Sequence, residues 1–333
     1  MWIHIPQSEV MQSTMYIARF RMPFFVLLVA YFLCWKLNRQ LADRTDDFRQ
    51  YLAVRLRRVY IPFIGWTAFY LLVGGMESIL HGEPWPRITW ALPVTGNTSH
   101  LWFLPFIMTI GVLIYPVALY AMKNKSLGLK LLVGIGLIGL GLSLLSDHLA
   151  SFLISPEMKG TTKITILRAC ALAPCALLGI SIYMSWGYLK KYPAEKLRRI
   201  QIVAAIVFLM ALLADSFVWR NALFENIMGM SLLIAALGPV RHAFWYVLAR
   251  WGRYSFGMYA VHLFVVQLLN EVRDLVFHFA PTWWTDLLTL MLCIPLSLLA
   301  SIALTHYRWT HWLVPTGDTD AVLPIGTPVV APA

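Results

Sequence analysis

Residues 164–218 read ITILRACALAPCALLGISIYMSWGYL, then KKYPAEKLRR, then IQIVAAIVFLMALLADSFV. Two long apolar segments thus flank a ten-residue segment that contains five Lys and Arg residues. A transmembrane helix needs roughly 20 mostly apolar residues, and short basic loops remain on the cytoplasmic side of a membrane. The stretch therefore predicts two membrane helices joined by a cytoplasmic loop.

The same alternation extends along the whole chain and predicts an all-α, polytopic integral membrane helix bundle. A soluble domain is about half apolar and about a quarter charged, whereas this chain is 59% hydrophobic and 13% charged. Nine spans are predicted, at Met15–Leu37, Val59–Met76, Leu101–Met122, Leu131–Ala150, Ile164–Trp186, Ile200–Val218, Asn221–Val240, Tyr254–Asn270 and Asp286–Tyr307.

The basic residues give the bundle an orientation. Nineteen of the 27 Lys and Arg residues lie in every second gap between the predicted spans. The positive-inside rule places those gaps, and the C-terminus, in the cytoplasm. The net charge of +11 is therefore spread over short loops rather than gathered into a patch for nucleic acid, and nucleic acid is not an expected partner.

One membrane domain is predicted at residues 1–312, followed by a disordered tail at 313–333 that is rich in Pro, Gly, Thr and Ala. The four cysteines lie in apolar stretches without metal-site or redox spacing, so neither a disulfide nor a metal site is expected. A cleavable signal peptide is not expected either. The motif Gly134-Ile-Gly136-Leu-Ile-Gly139 lies within a span and predicts close helix packing rather than dinucleotide binding.

Polar side chains at membrane depth are costly and therefore informative. His262 lies in the middle third of the eighth predicted span. An imidazole at that depth needs a partner, and either a functional or a structural role is open.

Four segments, in order, resemble the signature of acyltransferase family 3, whose members O-acylate extracytoplasmic glycans in bacterial inner membranes. The match with the family's glycine, serine, tyrosine and histidine element is in residues 252–262. The other three matching segments are Arg19-Phe-Arg21-Met-Pro-Phe-Phe25 with Tyr31, Arg55-Leu-Arg-Arg58-Val-Tyr-Ile-Pro62, and His100-Leu-Trp102-Phe-Leu-Pro105. One departure is Val29-Ala30, where the family usually has Ser-Gly.

The resemblance implies ten spans with a cytoplasmic N-terminus, one more span than the nine predicted here. In the family, the first helix ends with a catalytic histidine and carries an arginine upstream of it. His4 resembles that histidine, and the arginine would fall before Met1. The expectation is that most of this helix is missing and that the 333-residue chain is weakly active or inactive.

By the same resemblance His4 would be the catalytic base. Arg55 and Arg58 would hold the phosphates of acyl-CoA, unless they are only part of the positive-inside cluster. Arg19 and Arg21 would line the glycan side or hold a succinyl carboxylate. Trp102 and Tyr259 would stack on sugar rings or shape the cavity, and His262 would contribute to substrate binding.

The expected function is transfer of an acyl group, acetyl first and succinyl second, from cytoplasmic acyl-CoA to a cell-surface polysaccharide or its lipid-linked precursor. Acetyl-CoA is a donor substrate, and no bound cofactor is expected. The expected setting is the bacterial inner membrane, with the lipid bilayer and polysaccharide synthase machinery as partners. The alternative is a non-enzymatic subunit for export or assembly of an exopolysaccharide.

Overall fold

The chain is mainly helical in the part that the computed structural model describes, which is residues 21–43, 47–86, 88, 92–96, 101–124, 128–153, 160–217, 221–237, 251–278, 280 and 282–316. The helices are α1 (Arg21–Ala42), α2 (Phe48–Arg55), α3 (Ile61–Leu80), α4 (Leu92–Thr95), α5 (Phe103–Lys123), α6 (Gly128–Leu144), α7 (Ser146–Leu153), α8 (Gly160–Leu189), α9 (Ala194–Phe217), α10 (Ala222–Ala236), α11 (Ser255–Val272) and α12 (Trp283–His306). A π-helical segment, Leu56–Tyr60, joins α2 to α3, and a second, Arg273–Phe277, follows α11.

The all-α membrane bundle expected from the sequence is confirmed. Six helical stretches within the described residues are long and apolar enough to cross a membrane: Arg21–Ala42, Phe48–Leu80, Phe103–Lys123, Leu167–Leu189, Ala194–Ser216 and Trp283–His306. The other three predicted spans fall on shorter or less apolar helices. Two of them overlap α10 and α11, and the predicted span Leu131–Ala150 is divided between α6 and α7, which meet at Leu145.

The helices form two compact units. The larger unit comprises residues 19–60 and 70–238, and the smaller unit comprises residues 1–18, 61–69 and 239–333. In the larger unit α1 packs against α5, α8 and α10. Leu27, Ala30, Cys34 and Leu37 recur at helical spacing on α1 and are fully buried, which places this helix at the core of the unit.

Helices α1 and α8 approach each other at backbone distance. A Cβ atom at Gly179 on α8 would lie 2.6 Å from the Leu27 carbonyl oxygen and 2.8 Å from Ala30 Cβ. Small residues allow such approaches between membrane helices. The family usually has Ser-Gly at positions 29–30, which would favour a close helix contact. This chain has Ala30 there, and the contact is still close because α8 supplies the glycine, Gly179.

The glycine motif of α6 has the predicted packing role. A Cβ atom at Gly139 would lie 2.9 Å from Leu178 Cδ2, and one at Gly136 would lie 3.4 Å from Ser181 Oγ, so both glycines face α8. A Cβ atom at Gly134 would meet nothing within 4 Å. Close packing is confirmed for two of the three glycines.

A buried polar network links α6, α8 and α10. The Asn226 amide donates to Ser143 Oγ at 2.8 Å and to the Ala171 carbonyl at 3.1 Å, and its oxygen accepts from Cys175 Sγ at 2.8 Å. Burying a polar group is tolerated when it is hydrogen-bonded in this way. The network therefore fixes the register of three apolar helices.

The smaller unit is built on α11 and α12, which pack against each other. A Cβ atom at Gly257 would lie 2.8 Å from Ser301 Oγ and even closer to Val314, which is fully packed at 1% exposure. The Trp66 indole donates to the Leu313 carbonyl at 2.9 Å and ties the start of α3 to this segment. Packed structure thus reaches residue 314, and residues 317–333 of the predicted tail lie outside the described residues.

Candidate functional site

Arg55 lies at the end of α2, in a cluster of aromatic and basic side chains of the larger unit. Its guanidinium carbon is 5.4 Å from the centre of the Tyr51 ring, and Lys36 Nζ of α1 is 5.9 Å from the same ring. Tyr51 also contacts Tyr115 of α5, with ring centres 4.9 Å apart. Because residues four apart share a helix face, Tyr51 and Arg55 point the same way. We call Lys36, Tyr51, Arg55 and Tyr115 the basic cluster.

Gly111 of α5 makes room for the basic cluster. A Cβ atom at this position would lie 2.8 Å from Tyr51 Oη and 3.9 Å from the Arg55 guanidinium. Any larger residue there would displace the Tyr51 hydroxyl. The glycine therefore lets Tyr51 and Arg55 reach the surface of α5.

The π-helical segment Leu56–Tyr60 separates Arg55 from the exposed Arg58. Pro62 follows it and has no N–H to donate to the Arg58 carbonyl, so regular α-helical bonding cannot continue there. Single π turns of this kind are frequent at functional sites. The turn leaves Arg55 half-buried beside α5, with Arg57 and Arg58 directed to the surface.

Trp102 lies at the opposite end of α5, next to a second arginine. Its ring is 3% exposed, and the Arg168 guanidinium carbon of α8 lies 5.5 Å from the ring centre. The buried Trp102 Nε1–H donates to no residue that the structure describes. Phe103 contacts Phe25 of α1 with ring centres 6.3 Å apart. Arg21 precedes Phe25 by four residues and therefore shares its face of α1, the face that contacts Phe103. We call Arg21, Trp102 and Arg168 the Trp102 cluster.

The two clusters occupy different levels of the same unit. Gly111 follows Phe103 by eight residues, which at 1.5 Å per residue is about 12 Å along α5. The Arg55 guanidinium thus reaches a depth about 12 Å from the Trp102 end. The Arg55 guanidinium therefore lies beside the middle of α5, and the Arg168 guanidinium lies at the end of α5 where Trp102 is.

His262 is buried in the smaller unit, at 2% exposure. Its Nδ1 atom lies 2.6 Å from the carbonyl oxygen of Tyr259, and the two rings have centres 5.8 Å apart. A carbonyl oxygen only accepts hydrogen bonds, so Nδ1 carries a proton and a neutral ring has its lone pair on Nε2. The Cys293 thiol of α12 lies 3.7 Å from the His262 carbonyl oxygen.

An ion pair lies just after the C-terminal end of α11. Arg273 donates to Asp274 from Nε at 2.7 Å and from Nη2 at 3.0 Å. The hydrogen bonds from Arg273 hold the pKa of the Asp274 carboxyl below its usual value. Arg273 is itself buried, and the Asp274 carboxylate compensates its charge.

The predicted site residues divide between the two units. Arg21, Arg55, Arg58 and Trp102 belong to the larger unit, and Tyr259 and His262 belong to the smaller one. His4 and Arg19 lie outside the described residues. Within the larger unit, Arg55 and Trp102 mark different levels of α5 rather than one pocket.

Four members of the clusters were not predicted from the sequence: Lys36, Tyr51, Tyr115 and Arg168. Tyr51 had a signal, since it precedes Arg55 by four residues on one helix. Arg168 also had one, because it interrupts an otherwise apolar segment. Lys36 and Tyr115 had none, since only packing between helices distant in sequence brings them to Tyr51.

The sequence was compared with models of known protein families, and one domain family matches most of the chain. A family model described as an acyltransferase domain matches residues 2–306. Searches of the curated proteins and of the solved structures found no match. The matched range includes all eight predicted site residues.

Proposed function

Because the chain belongs to acyltransferase family 3, we propose that it transfers an acyl group from cytoplasmic acyl-CoA to a hydroxyl of an extracytoplasmic polysaccharide or its lipid-linked precursor. Acetyl is the proposed group and succinyl the second choice. The proposed location is the bacterial inner membrane with the C-terminus in the cytoplasm. The observation that carries the proposal is the family match together with cationic clusters at two levels of one membrane unit.

The basic cluster is the proposed donor end. Guanidinium groups bind phosphate oxygens by paired, charge-assisted hydrogen bonds, and acyl-CoA carries several phosphates. Arg55 and the exposed Arg58 would hold these phosphates, and Lys36 would add a third cation within reach of Tyr51. The Tyr51 ring would keep the Arg55 side chain in place.

The Trp102 cluster is the proposed acceptor end. The indole N–H of Trp102, which donates to no described residue, suits a sugar hydroxyl, and the buried Trp102 ring would shape the cavity. The half-buried Tyr259 ring of the smaller unit would stack on a sugar ring. Arg21 and Arg168 would bind a carboxylate, whether it belongs to an acidic glycan or to a succinyl group. This assignment predicts that the acceptor meets the bundle at the end of α5 where Trp102 lies.

The proposed chemistry needs one base and no redox step. His4 would take the proton from the acceptor hydroxyl as the oxygen attacks the thioester carbonyl carbon. A C–O bond forms, the C–S bond breaks, and the thiolate of CoA leaves with the proton from the imidazolium. His262 would bind substrate through Nε2 while its Nδ1–H remains bonded to the Tyr259 carbonyl.

Acyl transfer by membrane vesicles would test the proposal. Vesicles that contain the wild-type chain should move label from [acetyl-14C]acetyl-CoA into extractable glycan at a measurable rate, which would overturn the expectation that the chain is inactive. His4→Ala should reduce this transfer at least a hundredfold, the usual size of a general-base effect. His81→Ala is the matched control, since His81 is exposed and, among the described residues, bonds within its own helix end to the Glu77 carbonyl. Unchanged acylation in His4→Ala, with polymer secretion lost, would instead support the exporter.

A further inference from the structure

A groove of about 280 Å³ lies between α6, α8 and α10 of the larger unit, apart from both clusters. Its lining is apolar, and includes Val133, Leu137, Ile182, Trp186, Met230 and Ile234. Ile182 is buried, whereas Val133 is 43% and Leu137 63% exposed. The groove therefore has a closed floor and an open side.

Two lysines lie at one end of this groove. Lys130 precedes Val133 by three residues and Leu137 by seven, so it continues their face of α6. Lys190 follows Trp186 by four residues, and its N–H donates to the Trp186 carbonyl at 3.0 Å, so the helical path reaches it. Both lysines are exposed.

The helix register brings these lysines to the same level. Gly136 faces Ser181 and Gly139 faces Leu178, so α6 and α8 run antiparallel. If the same antiparallel pairing continues to the start of α6, Lys130 lies opposite Gly187 of α8. Lys190 is three residues further along, about 4.5 Å by helical rise. Two positive charges thus flank one end of the groove.

Acidic side chains do not offset these charges among the residues described as lining the groove. Glu195 is the acidic residue closest to Lys190 in the sequence, and it pairs with Arg199 at 2.7 Å. Trp186, at the same end, belongs to a residue type that prefers the level of lipid headgroups. Basic pockets between membrane helices on the cytoplasmic side bind anionic headgroups.

We infer that this groove binds an anionic phospholipid, with an acyl chain along the apolar lining and the phosphate between Lys130 and Lys190. Apolar packing gives no preference between lipids, because bilayer tails are as apolar as the groove. Selection must then come from the headgroup charge. The site is thus expected to prefer phosphatidylglycerol over phosphatidylcholine at equal chain length.

Fluorescence quenching by brominated lipids would test this inference in the purified full chain. The emission of Trp186 is obtained as the difference between wild type and Trp186→Phe. Phosphatidylglycerol with brominated acyl chains should quench it at least threefold more strongly than brominated phosphatidylcholine. Lys130→Gln with Lys190→Gln should abolish the preference, whereas Lys196→Gln should keep it, since Lys196 lies over the Tyr192 ring at 4.1 Å.

Raising the ionic strength provides a second test of the inference, and this test needs no variant. At about 1 M salt the screening length falls to about 3 Å, so the lipid preference of the wild type should disappear. Equal quenching by both lipids, or a preference that survives in the double variant, would overturn the inference. Quenching by neither lipid in a protein that elutes as a dimer would assign the groove to a second copy of the chain.

Discussion

At the residue scale, Arg55 differs most from its neighbours. It lies against Tyr51 and is half-buried beside Gly111, while Arg57 and Arg58 of the same basic run are exposed. The family resemblance implies the same role for Arg55 and Arg58, and nothing in the sequence separates them. Only the π turn after Arg55 distinguishes them, and the Tyr51 ring then holds one guanidinium at the surface of α5.

Arg55→Gln should therefore weaken acyl-CoA binding more than Arg57→Gln does. A hydrogen bond to a charged group contributes about 1.5–3 kcal/mol, and about 1.4 kcal/mol corresponds to a factor of ten. The KM for acetyl-CoA is expected to rise at least tenfold in Arg55→Gln and less than threefold in Arg57→Gln. Steady-state kinetics of CoA release would measure both values, and equal effects would favour a diffuse positive-inside cluster.

His262→Asn separates the two roles that remain open for this histidine. The asparagine amide can still donate to the Tyr259 carbonyl, as Nδ1 does at 2.6 Å, but it has no counterpart of Nε2. If His262 binds substrate, the melting temperature stays within a few degrees and acyl transfer falls at least tenfold. A variant that keeps full activity would make the residue a structural one. His262→Leu, which also removes the donor, should lower the melting temperature.

At the element scale, the contact between α1 and α8 defines the core of the larger unit. The sequence offers Ala30 where the related family has glycine, and from α1 alone a looser contact would be expected. The contact is nonetheless close, because Gly179 of α8 lies directly against Leu27 and Ala30. Which of two facing helices supplies the small residue is a property of the pair and cannot be read from one segment.

Gly179→Ala should destabilise the bundle, since its Cβ would meet the backbone of α1 at 2.6 Å. Overpacking of this kind costs about 1–3 kcal/mol. Gly187→Ala on the same helix is the matched control, because a Cβ there meets nothing within 4 Å. Thermal unfolding in detergent should show a lower melting temperature for Gly179→Ala only. Equal melting temperatures for the two variants would mean that α1 and α8 are not so close.

At the scale of the whole molecule, composition and charge alternation were sufficient to predict an all-α membrane bundle. Six of the predicted spans overlap helical stretches that are long and apolar enough to cross a membrane, because a bilayer imposes that length on a span. The clusters were only partly predictable. Arg55 and Trp102 were identified through the family resemblance and His262 through its depth in a predicted span, but Lys36 and Tyr115 reach Tyr51 only through packing between helices distant in sequence.

The orientation can be tested with single cysteines in two loops. Lys191 lies in a loop predicted to face the cytoplasm, and Glu83 lies in a loop predicted to face the extracytoplasmic side. Each would be changed to cysteine in a separate variant, Lys191→Cys and Glu83→Cys. Both positions are exposed. A membrane-impermeant maleimide should label Glu83→Cys in intact cells and Lys191→Cys only after permeabilisation. The reverse pattern would invert the assignment of donor and acceptor ends.

The most direct test of the account is the side of the membrane from which the donor is used. Acetyl-CoA carries several charges and does not cross a bilayer unaided. Inverted membrane vesicles, whose cytoplasmic face is outward, should incorporate label from added [acetyl-14C]acetyl-CoA into glycan, and Arg55→Gln should reduce that incorporation. Right-side-out vesicles should incorporate almost none. Equal labelling in both orientations, or labelling only of right-side-out vesicles, would contradict a donor end at Arg55 and an acceptor end at Trp102.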